Sequence, residues 1–298
     1  MRVLIVTAVP AERDAVVRGV GATAPEVAEL PVPGGVLHRL SPAPPTGPPL
    51  TVDVLAAGVG PAAAAAGTAA ALTAAAVART PYDLAVSAGI GGGFTTARPA
   101  AAGPVAAGPA TTATARPADA EPAATAPAST GSATTAPAAT APAATPHLGS
   151  VVVADAIVAA DLGAETPDGF AAVTDLGFGT VEHLPPAPLV AAVAEATDAV
   201  RGTVLTVSTV TGSAERAAEL LRRHPRAVAE AMEGFGVAEA AAAQSVPTLE
   251  VRTLSNAVGP RDRAAWRIGE ALEALAGAFA TIAPLLGTWT FDPEGTRQ

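Results

Sequence analysis

From Pro99 to His147 the chain is dominated by Ala, Thr and Pro, with Val105 its only larger aliphatic residue and Arg116, Asp119 and Glu121 its only charges. Such a stretch cannot bury enough apolar area to offset the entropy of ordering it. Its Ala-Thr-Ala-Pro repeats suit an extended, semi-stiff segment, so residues 99–147 are predicted to be disordered. The remaining chain must then fold around this segment or as two parts beside it. The first part ends in Ser87-Ala88-Gly89-Ile90-Gly91-Gly92-Gly93-Phe94, which reads as the turn after a buried strand. The second resumes with another strand, Ser150-Val151-Val152-Val153-Ala154. The first part alone holds only half a sheet, and loop-closure entropy grows slowly with length. One domain over residues 1–298 is therefore expected, ordered over about 1–98 and 148–288, with 99–147 as a surface insertion.

Outside that insertion, strand and helix patterns alternate. Val3–Thr7, Leu50–Ala56, Leu84–Ala88, Ser150–Ala154, Val204–Thr209 and Thr248–Leu254 are Val-rich and continuous, as strands covered on both faces are. Helices are predicted over Glu12–Arg18, Pro61–Ala78, Pro188–Val200, Ser213–Arg223 and Glu233–Gln244. In a last helix Ile268, Leu272, Leu275, Phe279 and Ile282 recur at helical spacing. Ser213 followed by Glu215 marks a capped helix start. The class is α/β, with a largely parallel or mixed sheet.

Composition removes several kinds of chemistry. All 17 basic residues are Arg, which excludes a Walker-type phosphate loop and any Lys Schiff base. There is no Cys, so thiolate catalysis and sulfur-ligated metals are excluded. His38, His147, His183 and His224 are scattered without ligand spacing, so no metal is expected. A net charge of −10 argues against a nucleic-acid or anionic-membrane partner. Neither the short apolar N-terminus nor the Ala-rich run 61–78 reads as a signal peptide or membrane span, which points to a cytoplasmic protein.

Five segments carry candidate chemistry. Gly58-Val59-Gly60 and Gly89–Gly93 each follow a strand, where glycine allows either a close approach to a ligand or simply a tight turn. Glu12 lies just past the first strand, where ligands bind in open α/β sheets, and equally suits the first turn of a helix. Glu233, in Ala231-Met232-Glu233-Gly234-Phe235, heads an almost purely aliphatic helix. A half-buried carboxylate there needs donors, and vicinal sugar hydroxyls are a natural pair; solvent is the other possibility. Asn256 closes the last strand beside a Gly-Pro loop, as a ligand contact or as a turn residue.

Taken in order, these segments resemble the purine nucleoside phosphorylase/nucleosidase superfamily. The matches are Glu12 after the first strand, Ala57-Gly58-Val59-Gly60 entering an Ala-rich helix, Gly89–Gly93, Met232-Glu233, and Arg252-Thr253-Leu254-Ser255-Asn256. The resemblance spans nearly the whole chain apart from the insertion. Two longer blocks, Glu230 to Gly236 and Ser255 to Trp266, are similar to the futalosine hydrolase branch. The resemblance implies a nucleoside phosphorylase-like three-layer sandwich, a central mixed, largely parallel sheet flanked by helices, assembled as a homo-oligomer. It implies a small nucleoside substrate, no cofactor, and release of hypoxanthine from futalosine in an alternative menaquinone pathway. Another 6-oxopurine nucleoside hydrolase or phosphorylase, or a non-catalytic nucleoside-binding module, is the alternative.

Carried over residue by residue, the resemblance makes Glu12 the general base and Asn256 the group that stabilises the leaving base. Glu233 and Met232 would hold the ribose, with Gly89, Ile90, Gly91 and Phe235 lining the pocket. Adenine-specific relatives place Asp at the position of Asn256. Adenine protonated at N7 offers two donors on that edge, whereas hypoxanthine offers one donor and one acceptor. An amide matches the latter, and a mismatch leaves polar groups unpaired at about 1–3 kcal/mol each. Two further departures are Ala231, where the nucleosidases carry another Glu, and Thr209–Thr211, where they carry a base-stacking aromatic. Phe235 and Phe178 are the candidates to stack instead, and Arg261 or Arg263 to pair with the 5′ carboxylate.

Overall fold

The computed structural model describes residues 1–22, 26–42, 49–95 and 145–289. Most of the predicted disordered insertion, 99–144, thus lies outside the described residues. Its end does not: Pro146 is buried, and the His147 N–H donates to Ser150 Oγ at 3.0 Å.

In chain order the first half comprises β1 (Arg2–Thr7), α1 (Pro10–Gly21), β2 (Val27–Val32), β3 (Gly35–Leu40), β4 (Thr51–Ala56), α2 (Pro61–Val77) and β5 (Leu84–Gly93). The second half begins with β6 (Val151–Ala159), β7 (Gly163–Thr166), β8 (Gly169–Ala172), β9 (Glu182–His183) and α3 (Ala187–Thr197). It continues with β10 (Val200–Thr206), α4 (Ala214–Arg223), β11 (Ala227–Ala231), α5 (Gly234–Ala242), β12 (Thr248–Ala257) and α6 (Ile268–Thr288).

The sheet runs β11-β10-β6-β12-β5-β1-β4-β3-β2, with β9 added on β6. β5, β1 and β4 are parallel, as are β12 with β5 and β6 with β10, while β12 meets β6 antiparallel. The sheet is therefore mixed and largely parallel at its centre. β12 lies between β5 and β6, the strands on either side of the insertion. Alternation along β1 sets the layers. Val3 and Ile5 pack with α1, α3 and α6 on one face, and Leu4 and Val6 with α2 and α5 on the other. α6 is long and apolar enough to cross a bilayer. It spends that character on the core, burying Leu275, Phe279, Ile282 and Leu286. It approaches α1 so closely that a Cβ on Gly19 would sit 2.2 Å from the Ala276 carbonyl oxygen.

The structure corrects the sequence in three places. Gly89–Gly93 is not a turn but the continuation of β5. Its far end pairs antiparallel with β11, Gly92 opposite Glu230, and so closes β11, β10, β6, β12 and β5 into a ring. Glycine is needed because the neighbours come close: a Cβ on Gly93 would lie 2.6 Å from Leu254 Cδ1. The β2–β3 hairpin and β11 are strands the periodicity did not show, since Val27–Val32 contains Pro31 and Ala227–Ala231 is mostly Ala. α3 stops at Thr197 rather than Val200, ended by Asp198 in the left-handed conformation.

Candidate active site

The strand ends that meet at the ring surround a cavity of about 350 Å3. Glu12 reaches it from the first turn of α1. Pro10 starts that helix, and the Glu12 side chain folds back over the helix start. Oε2 accepts the N–H of Ala8 at 3.0 Å and of Val9 at 3.3 Å, while Oε1 accepts the Ile90 N–H at 2.9 Å. Glu12 thus does sit in the first turn of a helix, and the same bonds that hold it there aim its carboxylate at β5. Only 4% of Glu12 is exposed. That burial pushes its carboxyl above the usual range, against the pull of Arg252 and the Ile90 N–H and with the push of Glu233.

Glu233 enters from the junction of β11 and α5, also buried. Oε1 accepts the Gly60 N–H and Oε2 a guanidinium N–H from Arg252, both at 3.2 Å. Gly60 has φ +96°, a conformation glycine tolerates, and the Pro61 start of α2 follows it. α5 lies so tightly on that start that a Cβ at Gly236 would be 2.1 Å from the Pro61 carbonyl oxygen.

Between the two carboxylates lies Arg252, fully buried. Its Nη1 bonds Glu233, its Nη2 donates to Ser87 Oγ at 2.8 Å, and its Nε to Glu250 Oε1 at 2.9 Å. Gly89 makes room for this arrangement, since a Cβ there would be 2.6 Å from Glu12 Oε1 and 2.8 Å from Arg252 Nη1. Opposite, Asn256 lies at the irregular end of β12, registered with Gly92. Its Oδ1 accepts the Ser255 hydroxyl at 2.9 Å, and its Nδ2 donates to the Ala257 carbonyl at 2.9 Å. Glu230, across Gly92 on β11, accepts the Thr211 N–H at 2.8 Å and the Thr211 hydroxyl, tying the loop after β10 to the cavity wall. Burial pushes its carboxyl up as well.

Glu12, Asn256, Glu233, Met232, Ile90 and Gly91 all line the cavity. Two predicted pocket residues do not. Gly89 lies behind Glu12, and Phe235 packs into the core beside His183, ring centres 5.2 Å apart. Its N–H heads α5 by donating to Thr206 Oγ1. Phe178 is 68% exposed and also outside the cavity, so neither proposed stacking ring reaches it. Trp266 does line it, and so does Arg261 but not Arg263, while both arginines lie over the Trp266 ring. Sequence reasoning gave Arg252, which joins Glu233, Ser87 and Glu250, no role of its own. The signal was present, because Glu250 and Arg252 are opposite charges two apart in a predicted buried strand and so share a face. Thr211 and Glu230 lie in segments the resemblance marked, but nothing in the sequence showed that they pair.

The phosphorylase superfamily pattern matches residues 138–284. A futalosine hydrolase from Streptomyces coelicolor is 56% identical over 289 residues, covering 97% of this chain and 98% of the relative. One from Thermus thermophilus is 37% identical over 45% of this chain and 60% of its own length. Among solved structures, a 5′-methylthioadenosine/S-adenosylhomocysteine nucleosidase from Neisseria meningitidis has a TM-score of 0.63 at 15% identity, covering 96% of this chain and 98% of that one. A futalosine hydrolase mutant of Helicobacter pylori has a TM-score of 0.63 at 16% identity, covering 95% and 98%. At those identities the structural likeness speaks for the fold.

Proposed function

The chain belongs to the futalosine hydrolase family, and from that premise we propose how its own residues divide the work of the reaction. It hydrolyses the N-glycosidic bond of futalosine, releasing hypoxanthine and dehypoxanthinylfutalosine. The reacting ribosyl carbon passes through an oxocarbenium-like state, so the enzyme must supply water, steady the departing base and hold the sugar.

Glu12 is the general base that orients water and takes its proton. Support comes from its burial, its fixed carboxylate and its raised pKa, which brings a carboxylate nearer the working pH of a base. Glu233 accepts from the ribose hydroxyls and fixes the sugar in reactive geometry. Arg252 beside it keeps two buried carboxylates from repelling one another. Asn256 steadies the base at N7 and O6; having no acidic proton of its own, it leaves N7 to be protonated by way of solvent. Ile90, Gly91 and Met232 are assigned to the wall against the substrate, a reading supported by their place in the cavity lining. We assign the 5′ carboxylate to Arg261 rather than Arg263, because Arg261 lines the cavity.

The observation that carries this division is the convergence of Glu12, Glu233 and Asn256 on one cavity. A phosphorylase would have to seat a phosphate dianion against two buried carboxylates, which Coulomb repulsion opposes. We further read residues 1–298 as one domain, supported by the position of β12 between β5 and β6. We place the enzyme in the cytoplasm as a homo-oligomer, in the futalosine route to menaquinone. Turnover in 18O-labelled water with phosphate present tests the reaction type. Label at the anomeric carbon of the product is expected, and a ribosyl 1-phosphate would overturn the assignment.

A further inference from the structure

Glu250 takes no part in the scheme above and does not line the cavity, yet it holds the residue on which two members of that scheme rest. It is fully buried in the middle of β12, on the same face as Arg252. Its Oε1 accepts from Arg252 Nε at 2.9 Å, and its Oε2 is buried with no hydrogen-bond partner among the described residues. The carboxyl lies directly against the backbone of Gly234, where a Cβ would fall 2.2 Å from Oε2 and 2.3 Å from Oε1. Gly234 is the residue after Glu233. An ionisable side chain with an unsatisfied buried oxygen is expensive to keep, and a Val or Leu would fill a strand interior at no such cost. A compensating role is therefore expected.

The geometry of Arg252 supplies it. A guanidinium is planar and rigid, so fixing its three nitrogens fixes where its charge points. Ser87 on β5 holds Nη2, Glu233 at the head of α5 engages Nη1, and Glu250 holds Nε. Ser87 and Glu250 are the two holders that do not face the cavity. We propose that Glu250 is a positioning residue for the hydrolysis. It orients the Arg252 guanidinium so that Nη1 serves Glu233 and faces Glu12 across Gly89, and it acts on the reaction only through that arginine. The charged groups around it are Arg252 on its own strand and Glu233 at the β11–α5 junction, with Glu12 beyond the arginine.

This inference rests on the roles given above to Glu12 and Glu233, and the test separates the two. Glu250→Met removes the acceptor while keeping an unbranched side chain of similar length. Glu250→Gln keeps an oxygen that can accept from Nε. Both are measured for kcat and KM on futalosine, for hypoxanthine binding by calorimetry and for thermal unfolding. For Glu250→Met we expect kcat to fall about 10- to 100-fold while hypoxanthine binding stays within about twofold, since misplacing a substrate-orienting group mainly affects the transition state. Glu250→Gln is expected to restore kcat to within about threefold of the parent. A folded Glu250→Met with unchanged kcat, or a loss of hypoxanthine binding in step with kcat, would overturn the proposal. If Glu250→Met does not fold, a folded Glu250→Gln that loses more than about tenfold in kcat overturns it. Full activity in Glu12→Gln would instead defeat the underlying reading.

Discussion

A single methyl group at position 89 tests how firmly the proposed general base, Glu12, must be held. In Gly89→Ala the new Cβ would lie 2.6 Å from Glu12 Oε1 and 2.8 Å from Arg252 Nη1. Gly89 is not among the residues of positive φ, so alanine fits the backbone and the effect is steric. β5 cannot retreat, because Gly89 is paired with Arg252 on β12 and the strand is held by β1 just before it. The carboxylate must yield by about 0.8 Å to reach ordinary van der Waals separation. That stretches the 2.9 Å Ile90 bond past bonding length. A hydrogen bond to a charged group contributes about 1.5–3 kcal/mol, and a misplacement on the order of 1 Å costs about 100-fold in rate. We expect kcat/KM for futalosine to fall about 100-fold, followed by the ultraviolet change on oxidation of released hypoxanthine. Thermal unfolding and circular dichroism would report that the fold is kept. A folded Gly89→Ala with a rate within about threefold of the parent would refute the idea that Glu12 is held in place by close packing.

Four other substitutions probe separate parts of the account. Glu12→Gln should lower kcat by about 100- to 10,000-fold, as loss of a general base does. In the parent, kcat/KM should rise with pH as Glu12 loses its proton, with that limb above the ordinary carboxylate range because burial favours the neutral form; Glu12→Gln should lack the limb. Asn256→Asp should lose about 10- to 100-fold on futalosine and gain on adenine nucleosides, read from purine release, because a carboxylate faces O6 with like charge. Phe235→Ala should cost about 3–5 kcal/mol in urea unfolding while leaving kcat per folded molecule unchanged, as a core ring outside the cavity would. Thr211→Val strands one buried oxygen of Glu230 and should raise KM for futalosine more than it lowers kcat, by loosening the loop after β10.

The frame was legible in the sequence because its strands are strong signals. Val3–Thr7 and Thr248–Leu254 are continuous runs buried on both faces, and the structure puts β1 and β12 there with boundaries shifted by three residues at most. Ser213 caps α4 through the Arg216 N–H, as its position before Glu215 suggested. What stayed hidden depends on closure of the sheet. β11 is Ala-rich and becomes a strand only because β10 and the end of β5 flank it, and Gly89–Gly93 reads as a turn until those neighbours are seen. The same holds at the site. Glu12, Glu233 and Asn256 end strands or begin helices, where ligand chemistry gathers in α/β folds, so their positions were readable. Arg252 and Glu250 lie in mid-strand, and their meaning comes from partners on β5 and at the head of α5. Phe235 misled because an aromatic beside a carboxylate proposed to hold the sugar suggests stacking, while helix geometry turns it toward His183.

The most direct test of the account is purine release by the purified protein, resolved by chromatography, from futalosine, inosine and 5′-methylthioadenosine, each with and without phosphate. Hypoxanthine from futalosine at a rate indifferent to phosphate, with no adenine from methylthioadenosine, is the predicted result. Release that requires phosphate, or adenine release that outpaces hypoxanthine, would contradict it.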